Sequence, residues 1–391
     1  MHLENKMIKL LKNARVYAPE NLGKKDVLIV DEKICKIADE IQGYEELPEV
    51  EVFDLEGKAL VPGYIDLHVH ITGGGGEQGF ASRVPESQLS QFTRNGITTV
   101  LGLLGTDGVT RSLENLVAKA RALNEEGMTA FALTSAYGYP AITLTGSVEK
   151  DIMMIPPIVG VKVAVSDHRS SNPTGEDLIE LATQARRGGM LSGNPGLVVM
   201  HMGNGKGKMD PIFYVLDHSD VLPKNLLPTH SLRTKELRKD AVEFIRRGGI
   251  VDCSAGNSAD GIKKNAEHIL KMIRKHGVTT NHMTLSSDAF GSLPKFDEEG
   301  NCVGLTYASP KSLHKTMRYL VMNGLAMEEA LPLLTSTPAE VLGLAGKKGC
   351  VKEEADADLL VLTENFEIES VFAKGKVAVH NGKVLLKGRF E

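Results

Sequence analysis

Short apolar segments alternate with helical patterns through the middle of this chain, and that alternation limits the folds it can adopt. Eight such segments are present: LVPGYIDLH (60–68), GITTVLGLL (96–104), TAFALTSAY (129–137), PIVGVKVAV (157–165), GLVVMHM (196–202), NLLPTH (225–230), GGIVDCSA (248–255) and HMTLSSD (282–288). Helical patterns such as GEDLIELATQARRGG (175–189) separate most of them, and several end at glycine, a common helix terminator. Repeated units of this kind predict an α/β fold, a (β/α)8 TIM-like barrel, with a doubly wound open sheet as the alternative.

Both ends of the chain differ from this middle. Residues up to about Ala59 carry short apolar runs broken by Asn, Gly and Asp, and the tail from Ala355 onward has the same composition. The HNGK at 380–383 favours a type I′ hairpin turn. We therefore predict a small β-sandwich domain formed by 1–59 plus 347–391, and a barrel domain spanning 60–346.

Composition excludes several classes of protein. The chain has 391 residues, which is enough for one large domain and a smaller one. Its net charge of −5 argues against nucleic acid or an anionic membrane as a partner. No signal-peptide-like segment follows the charged start, and no apolar run is long enough to span a bilayer. Four scattered cysteines (Cys35, Cys253, Cys302 and Cys350) form no CxxC pair, so we predict a cytoplasmic protein without a disulfide framework.

Residues capable of chemistry lie at the carboxyl ends of four predicted strands, where a barrel of this type has its active site. The first strand ends in DLHVH, with His68 and His70, which point to the same side of an extended chain. His201, His230 and Asp288 end three others. Each alone has an ordinary explanation, a hydrogen-bonded core histidine or a helix-capping aspartate. Their coincidence at one barrel mouth predicts a metal site instead.

Lys162 interrupts the β-branched run IVGVKVAVSD, which predicts a strand buried on both faces. A charged ammonium in such a strand is costly unless it is paired or chemically changed. Burial and nearby cations lower the pKa of a lysine, and the neutral amine can then add carbon dioxide to form a carbamate. The alternative is a buried lysine paired with a carboxylate.

A carboxylated lysine offers two oxygens, so it can bridge two divalent metals. The six candidate ligands then divide into three for one metal, two for the other and one shared: His68, His70 and Asp288; His201 and His230; and Lys162. A hydroxide between the two metals would be a nucleophile at neutral pH. The ligand types leave the metal open among Zn, Mn, Co and Fe.

With these residues in place, the sequence resembles the amidohydrolase superfamily of metal-dependent hydrolases over essentially its whole length. The resemblance rests on VPGYIDLHVH, VGVKVAVSD, VVMHMG, LPTHS and LSSDAFGS, and on the closing β segment. Within the superfamily the chain is most similar to the isoaspartyl dipeptidases, through HVHITGGGGEQGF, LTSAYGYP, VAVSDHRSS, HMGNGKG, PTHSLRT and SSDAFGSLPKF. The resemblance implies two Zn²⁺ per subunit, an N6-carboxylysine bridge, hydrolysis of β-aspartyl dipeptides, and a homo-oligomer with an octamer as the expected state.

An isoaspartyl dipeptide carries one ammonium and two carboxylates around the scissile amide. Glu77 follows the flexible run Gly73–Gly76, which lacks the GK[ST] ending of a P-loop. A solvated loop glutamate is the ordinary interpretation. With the resemblance added, we assign Glu77 to the substrate ammonium and Gly75 to a backbone contact.

Two arginines lie just past strand ends, Arg169 after the fourth strand and Arg233 after the sixth. Surface ion pairs are the commoner role for such residues, but guanidinium groups bind carboxylates with paired hydrogen bonds, and we assign both to substrate carboxylates. Tyr137, at the end of the third strand, is expected to hydrogen-bond the developing oxyanion. Thr106 and Ser292 are further predicted substrate contacts.

The predicted mechanism uses Asp288 as general base toward the nucleophilic water and then as general acid toward the leaving amine. One rival function is cyclic-amide hydrolysis of the dihydropyrimidinase or dihydroorotase type, which shares the metal ligands but has no ammonium for Glu77 to bind. A second rival is a non-catalytic binding scaffold, which the complete ligand set argues against.

Overall fold

The computed structural model describes residues 6–297 and 302–391. Strands in this part of the chain are β1 (Ile8–Tyr17), β2 (Asn21–Val30), β3 (Lys33–Ala38), β4 (Val50–Asp54), β5 (Ala59–Pro62), β6 (Tyr64–Val69), β7 (Ile97–Gly102), β8 (Thr129–Thr134), β9 (Ile158–Val165), β10 (Leu197–Met202), β11 (Leu226–Thr229), β12 (Val251–Ser254), β13 (Met283–Ser286), β14 (Ser292–Phe296), β15 (Cys302–Tyr307), β16 (Leu359–Leu362), β17 (Ile368–Ala373), β18 (Lys376–His380) and β19 (Lys383–Val384). Helices are α1 (Leu89–Thr93), α2 (Leu113–Glu126), α3 (Val148–Met154), α4 (Gly175–Ser192), α5 (Asp210–His218), α6 (Lys235–Arg246), α7 (Ala259–His276), α8 (Lys311–Met322), α9 (Met327–Ala330) and α10 (Ser336–Val341).

Strands β6 to β13 form the barrel. Six of them, β6 to β11 in chain order, make one parallel sheet, and β12 pairs in parallel with β13. The ring closes through hydrogen bonds from His70 N to Ala289 O (2.9 Å) and from Ser231 N to Asp252 O (3.2 Å). Every residue of β9 and β10 is buried, as expected for strands covered on both faces. The predicted (β/α)8 architecture is confirmed.

Helices follow the barrel strands at the predicted places, with the expected caps. Ser258 caps α7 by accepting a hydrogen bond from Gly261 N, and Gly277 ends it in the left-handed conformation. The predicted helix at 175–189 continues to Ser192 instead. A Cβ at Gly189 would lie 2.6 Å from Gly196 Cα, so this glycine permits close packing inside the helix rather than ending it. Among the described residues, no helix has the length and hydrophobicity needed to cross a bilayer.

The two ends of the chain meet in a single sheet of nine strands. Its hydrogen-bonded order is β19, β18, β17, β16, β5, β1, β2, β3, with β4 paired to β1. Leu11, Val27 and Phe372 belong to a buried cluster separate from the main barrel core. The predicted β domain from the terminal segments is therefore confirmed.

The first predicted strand, 60–68, is two strands in the structure. Residues up to Pro62 form β5 and pair antiparallel with β16 in the terminal sheet, whereas β6 begins the barrel at Tyr64. Gly63 lies between them and donates its N–H to Asp358 O (2.7 Å). The apolar pattern runs across both strands, and the Pro62-Gly63 pair is the local signal for the change of sheet. The division of the chain into two domains at these residues stays a prediction.

Candidate metal centre and substrate cavity

The six candidate ligands converge at the carboxyl end of the barrel. His70 Nε2 lies 3.2 Å from Asp288 Oδ1, and His68 Nε2 lies 3.5 Å from the same oxygen. These three side chains form a group that could hold a metal ion. Lys162 Nζ is 3.3 Å from His68 Nε2. The ring of His230 lies 4.9 Å from that of His68 and 4.5 Å from that of His201, measured between centroids.

The backbone at two of these residues is strained. His230 has a φ of 60° and Asp288 a φ of 55°, both in the left-handed region that non-glycine residues rarely adopt. Such a conformation costs on the order of 1–3 kcal/mol and concentrates at functional sites. A Cβ on Gly291 would lie 2.8 Å from Asp288 Oδ1, so the following turn also leaves space for this carboxylate. With this backbone conformation, the side chains of His230 and Asp288 lie at the barrel mouth.

Three of the histidines have a hydrogen-bond partner that can orient the ring. His68 Nδ1 lies 3.1 Å from Thr229 Oγ1, His230 Nδ1 lies 2.6 Å from Ser254 Oγ, and His201 Nε2 lies 3.2 Å from Asp167 Oδ2. Among the described residues, His230 Nε2 is buried without a hydrogen-bond partner. Metal-binding histidines characteristically have such a partner on the nitrogen that does not bind the metal. The donor set thus fits divalent cations.

Burial sets the protonation of these side chains. It lowers the pKa of His201 to about 3 and the pKa values of His68 and His230 well below the ordinary range. Neutral imidazole is the form that binds metals. Burial raises the pKa of Asp288, but the hydrogen bond with His70 and nearby cations outweigh burial and lower it overall. Asp288 is thus available as an anionic ligand.

Lys162 is fully buried. Burial lowers its pKa to about 7, which makes the neutral amine accessible near neutral pH. No ion pair between Lys162 and a carboxylate occurs in residues 6–297 and 302–391, and Asp288 and Asp252 act on it only at longer range. Within that part of the chain, the alternative interpretation of a paired lysine does not apply.

A cavity of about 300 Å³ opens above these ligands. All seven predicted substrate-binding residues line it: Gly75, Glu77, Thr106, Tyr137, Arg169, Arg233 and Ser292. His70, His201 and Asp288 form part of its floor. The predicted metal and substrate residues therefore share one site, although the individual roles stay predictions.

Glu77 is held at one side of the cavity. Ser292 Oγ lies 2.7 Å and 2.8 Å from the two oxygens of its carboxylate, and Arg169 Nη1 lies 3.5 Å away. Gly75 has a φ of 89°, and a Cβ there would lie 2.4 Å from Ser82 O, so the loop that carries Glu77 depends on glycine. The glutamate is therefore a fixed anion rather than a solvated loop residue.

Tyr137 and Arg233 line the cavity beside His201. The Tyr137 hydroxyl is 2.7 Å from His201 Nδ1, and burial raises its pKa, so the phenol stays protonated as a donor. Arg233 Nη1 donates to Met202 O (2.9 Å) and lies 3.3 Å from His201 Nε2. Burial lowers the pKa of Arg233, but a guanidinium remains charged at any working pH. The cavity thus offers a phenol and a cation in addition to the Glu77 carboxylate.

A comparison with protein families identifies the group to which this site belongs. Residues 59–378 match the model of the amidohydrolase family. The chain belongs to the amidohydrolase family. The crystal structure of a β-aspartyl dipeptidase from Fervidobacterium islandicum AW-1, in complex with β-Asp-Leu dipeptide, is 41% identical with a TM-score of 0.90, covering 97% of this chain and 99% of that one. The predicted resemblance to this group of amidohydrolases is therefore confirmed.

Other amidohydrolases are more distant. The dihydropyrimidinase of Brevibacillus agri NCHU1002 has a TM-score of 0.62 at 16% identity, over 98% of this chain and 97% of that one, and shows the fold alone. Among curated proteins, the dihydroorotase of Listeria monocytogenes serotype 4a (strain HCC23) is 36% identical over 134 residues. That alignment covers 33% of this chain and 30% of the dihydroorotase.

The sequence patterns did not predict several residues that lie around this amidohydrolase centre. Asp66 is buried and accepts hydrogen bonds from His68 N (3.2 Å), Ser287 N (3.1 Å) and the Ser287 hydroxyl. It stands two residues before His68, so strand alternation could have placed it on the same face. Asp167 lies two residues beyond the end of β9, and the strand-end rule that found His201 could also have found it.

Proposed function

We propose that this chain hydrolyses β-aspartyl dipeptides at a zinc-loaded binuclear centre. The observation that carries the proposal is the charge content of one cavity, which is lined by one anion, Glu77, and two cations, Arg169 and Arg233, above the ligand cluster. A β-aspartyl dipeptide has the complementary charges, an ammonium and two carboxylates. The similar β-aspartyl dipeptidase structure, described as a complex with β-Asp-Leu, supports the same substrate class.

The metal proposal rests on the donor set. His68, His70 and Asp288 would hold one cation and His201 and His230 the other, with N6-carboxylated Lys162 between them. Two divalent cations at this position would supply an activated water and polarise the scissile carbonyl. Zinc suits these nitrogen and oxygen ligands.

Side chains of the protein then transfer protons and bind the charged groups of the substrate. Asp288, which lies 3.2 Å from His70 Nε2, accepts the proton of the attacking water and later delivers it to the leaving amine. The protonated phenol of Tyr137 donates a hydrogen bond to the oxyanion that develops on the carbonyl. Glu77 binds the ammonium, the backbone at Gly75 and the hydroxyls of Thr106 and Ser292 add polar contacts, and Arg169 and Arg233 bind carboxylates.

The same proposal includes the assembly and location of the enzyme. A homo-oligomer, with an octamer as the expected state, and a cytoplasmic location follow from the resemblance and from the scattered cysteines. Cys35, Cys253 and Cys350 are free thiols, and the side chain of Cys302 lies outside the described residues. Sedimentation of the purified protein tests the octamer.

The deciding experiment compares leucine release from β-Asp-Leu and α-Asp-Leu, with dihydroorotate and dihydrouracil as cyclic-amide substrates, in zinc and bicarbonate. Hydrolysis of β-Asp-Leu alone supports the proposal. Ring opening of either cyclic amide without dipeptide cleavage would support instead the cyclic-amide function, which the partial dihydroorotase match favours. Turnover of neither class by a zinc-loaded protein would favour the scaffold.

A variant tests the proton relay. Asp288→Asn removes the proton acceptor, and we expect kcat for β-Asp-Leu to fall on the order of 10²–10⁴-fold, the range for loss of a general acid–base group. Because Asp288 also belongs to the ligand group, zinc content is measured alongside. A rate near that of the wild type would exclude this role.

A further inference from the structure

Asp167 connects the metal side of the cavity to its carboxylate-binding side. It lies two residues beyond the end of β9, and only 3% of its side chain is exposed. Asp167 Oδ2 lies 3.2 Å from His201 Nε2. Its two oxygens also accept from Arg169, Oδ1 from Nε (3.0 Å) and Oδ2 from Nη2 (3.1 Å). One carboxylate therefore contacts both a proposed metal ligand and a proposed substrate-binding arginine.

The contact with His201 decides which ring nitrogen carries the proton. A neutral imidazole has one N–H, and an ionised carboxylate can only accept. The proton must therefore lie on Nε2, next to Asp167, and Nδ1 must present a lone pair. Nδ1 faces the Tyr137 hydroxyl at 2.7 Å, a donor, which agrees with this tautomer. A metal on Nδ1 would use the same lone pair, so it would replace this hydrogen bond and release the Tyr137 hydroxyl to donate to the oxyanion.

Two arginine nitrogens also approach His201 Nε2, but each has a better partner. Arg169 Nη2 lies 3.3 Å from Nε2 and 3.1 Å from Asp167 Oδ2. Arg233 Nη1 lies 3.3 Å from Nε2 and 2.9 Å from Met202 O. Neither arginine nitrogen needs Nε2 as an acceptor. When the Nε2 proton points to Asp167, both arginine nitrogens therefore still have an acceptor.

The contact with Arg169 directs the remaining nitrogen of that guanidinium. Because Nε and Nη2 are bound to Asp167, Nη1 is left facing the cavity, 3.5 Å from both Thr106 Oγ1 and Glu77 Oε1. A planar guanidinium held at two nitrogens has little freedom to rotate. Asp167 thus presents a fixed donor to the substrate.

We propose that Asp167 is a positioning residue that makes Nδ1 the metal-binding atom of His201 and aims Nη1 of Arg169 into the cavity. The inference rests on the proposed function, because it concerns one of the two proposed zinc ions and a proposed carboxylate contact. Removal of the carboxylate frees the His201 tautomer and the Arg169 side chain together. The His68, His70 and Asp288 group does not contact Asp167 and keeps its zinc.

The test measures zinc bound per subunit during dialysis against increasing chelator, for wild type, Asp167→Ala and Asp167→Asn. Loss of the partner of a metal-binding histidine weakens metal affinity about 10–100-fold. We expect Asp167→Ala to lose one zinc ion at chelator concentrations where wild type keeps two. Asp167→Asn, which keeps one acceptor oxygen, should show a smaller loss. Asp177→Asn, a partly buried carboxylate at the start of α4 that does not line the cavity, is the matched control and should keep both ions.

Kinetics give the second readout. At saturating zinc, both Asp167 variants should raise KM for β-Asp-Leu more than they lower kcat, because Arg169 is no longer oriented. If folded Asp167→Ala keeps both zinc ions with wild-type affinity, or loses both in parallel, the inference is overturned. Should the alanine variant not fold, the asparagine variant decides on the same criteria. Wild type that binds two zinc ions without cleaving β-Asp-Leu overturns the proposed substrate and leaves the tautomer inference to the zinc data.

Discussion

Two buried lysines in different regions of this molecule have opposite chemistry. Lys162 lies on the barrel strand β9 with no exposed surface, and its close polar contact is His68 Nε2 at 3.3 Å. Lys348 is 5% exposed near the terminal sheet, and its Nζ lies 2.5 Å from Asp358 and 2.8 Å from Asp356. Burial lowers the pKa of Lys162 to about 7. Burial also lowers the pKa of Lys348, but Asp358 and Asp356 outweigh it and raise that pKa overall.

The difference shows that partners, rather than burial, decide whether a lysine is structural or reactive. Two carboxylates keep Lys348 protonated, so its amine has no lone pair to react with carbon dioxide. Lys162 has no such pair among the described residues and lies beside the histidine cluster. Only the barrel lysine can therefore become a carbamate ligand.

The largest effect is expected from Lys162→Met. This substitution removes the proposed bridge, and we expect turnover of β-Asp-Leu to fall on the order of 10³-fold or more, as for loss of metal-ion catalysis. Folding should not suffer, because an apolar chain of similar volume replaces an unpaired buried amine. Zinc content, steady-state rates and thermal unfolding check both parts. Near-normal turnover with two zinc ions bound would show that the amine is not a ligand.

The opposite result is expected from Lys348→Met. Removing one partner of a buried ion pair leaves carboxylates uncompensated and lowers the free energy of unfolding by about 3–5 kcal/mol. Turnover of the protein that remains folded should match wild type, since Lys348 does not line the cavity. Urea unfolding followed by circular dichroism measures the loss. An unchanged midpoint would mean that the pair contributes nothing, and the contrast with Lys162 would fail.

The contrast also shows what a sequence can reveal. Lys162 was recognisable because a charged residue in an unbroken β-branched run has no ordinary explanation, and the strand-end residues followed from the common direction of barrel strands. The ion pair of Lys348 was not recognisable. Pairing between β16 and β5 brings Asp358 next to Lys348, and the apolar pattern does not encode which strands pair. The strand-end rule could have found the position of Asp167, but its role depends on the side-chain conformations of Arg169 and His201, on two different strand ends.

Arg111 is a third buried cation and extends the comparison, because backbone carbonyls rather than carboxylates surround it. It is 8% exposed and donates to Thr72 O (2.5 Å) and Val84 O (2.6 Å), the two ends of the loop that carries Glu77. We expect Arg111→Met to raise KM for β-Asp-Leu about tenfold with little change in kcat. Glu77 then loses its fixed position, whereas the ligand cluster keeps its geometry.

Arg111→Lys should behave like the methionine variant, since an ammonium cannot reproduce the planar contact with two carbonyls. Arg121→Met, at an exposed position on α2, is the matched control. If Arg111→Met lowered kcat by as much as it raised KM, Arg111 would act on the reacting centre. That result would contradict a role limited to holding the loop that carries Glu77.

Acid should weaken the ion pair between Lys348 and Asp356, because protonation removes the negative charge of the carboxylate. Lys348 would then lose a charged partner, which Lys162 lacks among the described residues. Burial raises the pKa of Asp356, but Lys348 and Lys33 outweigh it and hold the pKa below its ordinary value of 3.8. A carboxyl group with a lowered folded-state pKa contributes stability that is fully present above 3.8 and is lost as pH falls through the folded-state value. The difference in unfolding free energy between wild type and Lys348→Met should therefore stay constant from neutral pH down to about pH 4 and narrow below it.

Urea unfolding of both proteins at several pH values between 7 and about 3 measures this difference. Lys33→Met is the control, because it removes only the half-exposed partner of Asp356 and should change stability less at every pH. A wild-type advantage that persists undiminished at the lowest pH would mean that Lys348 is stabilised by something other than the charge of Asp356. In that case ion pairing could not account for the opposite behaviour of the two lysines.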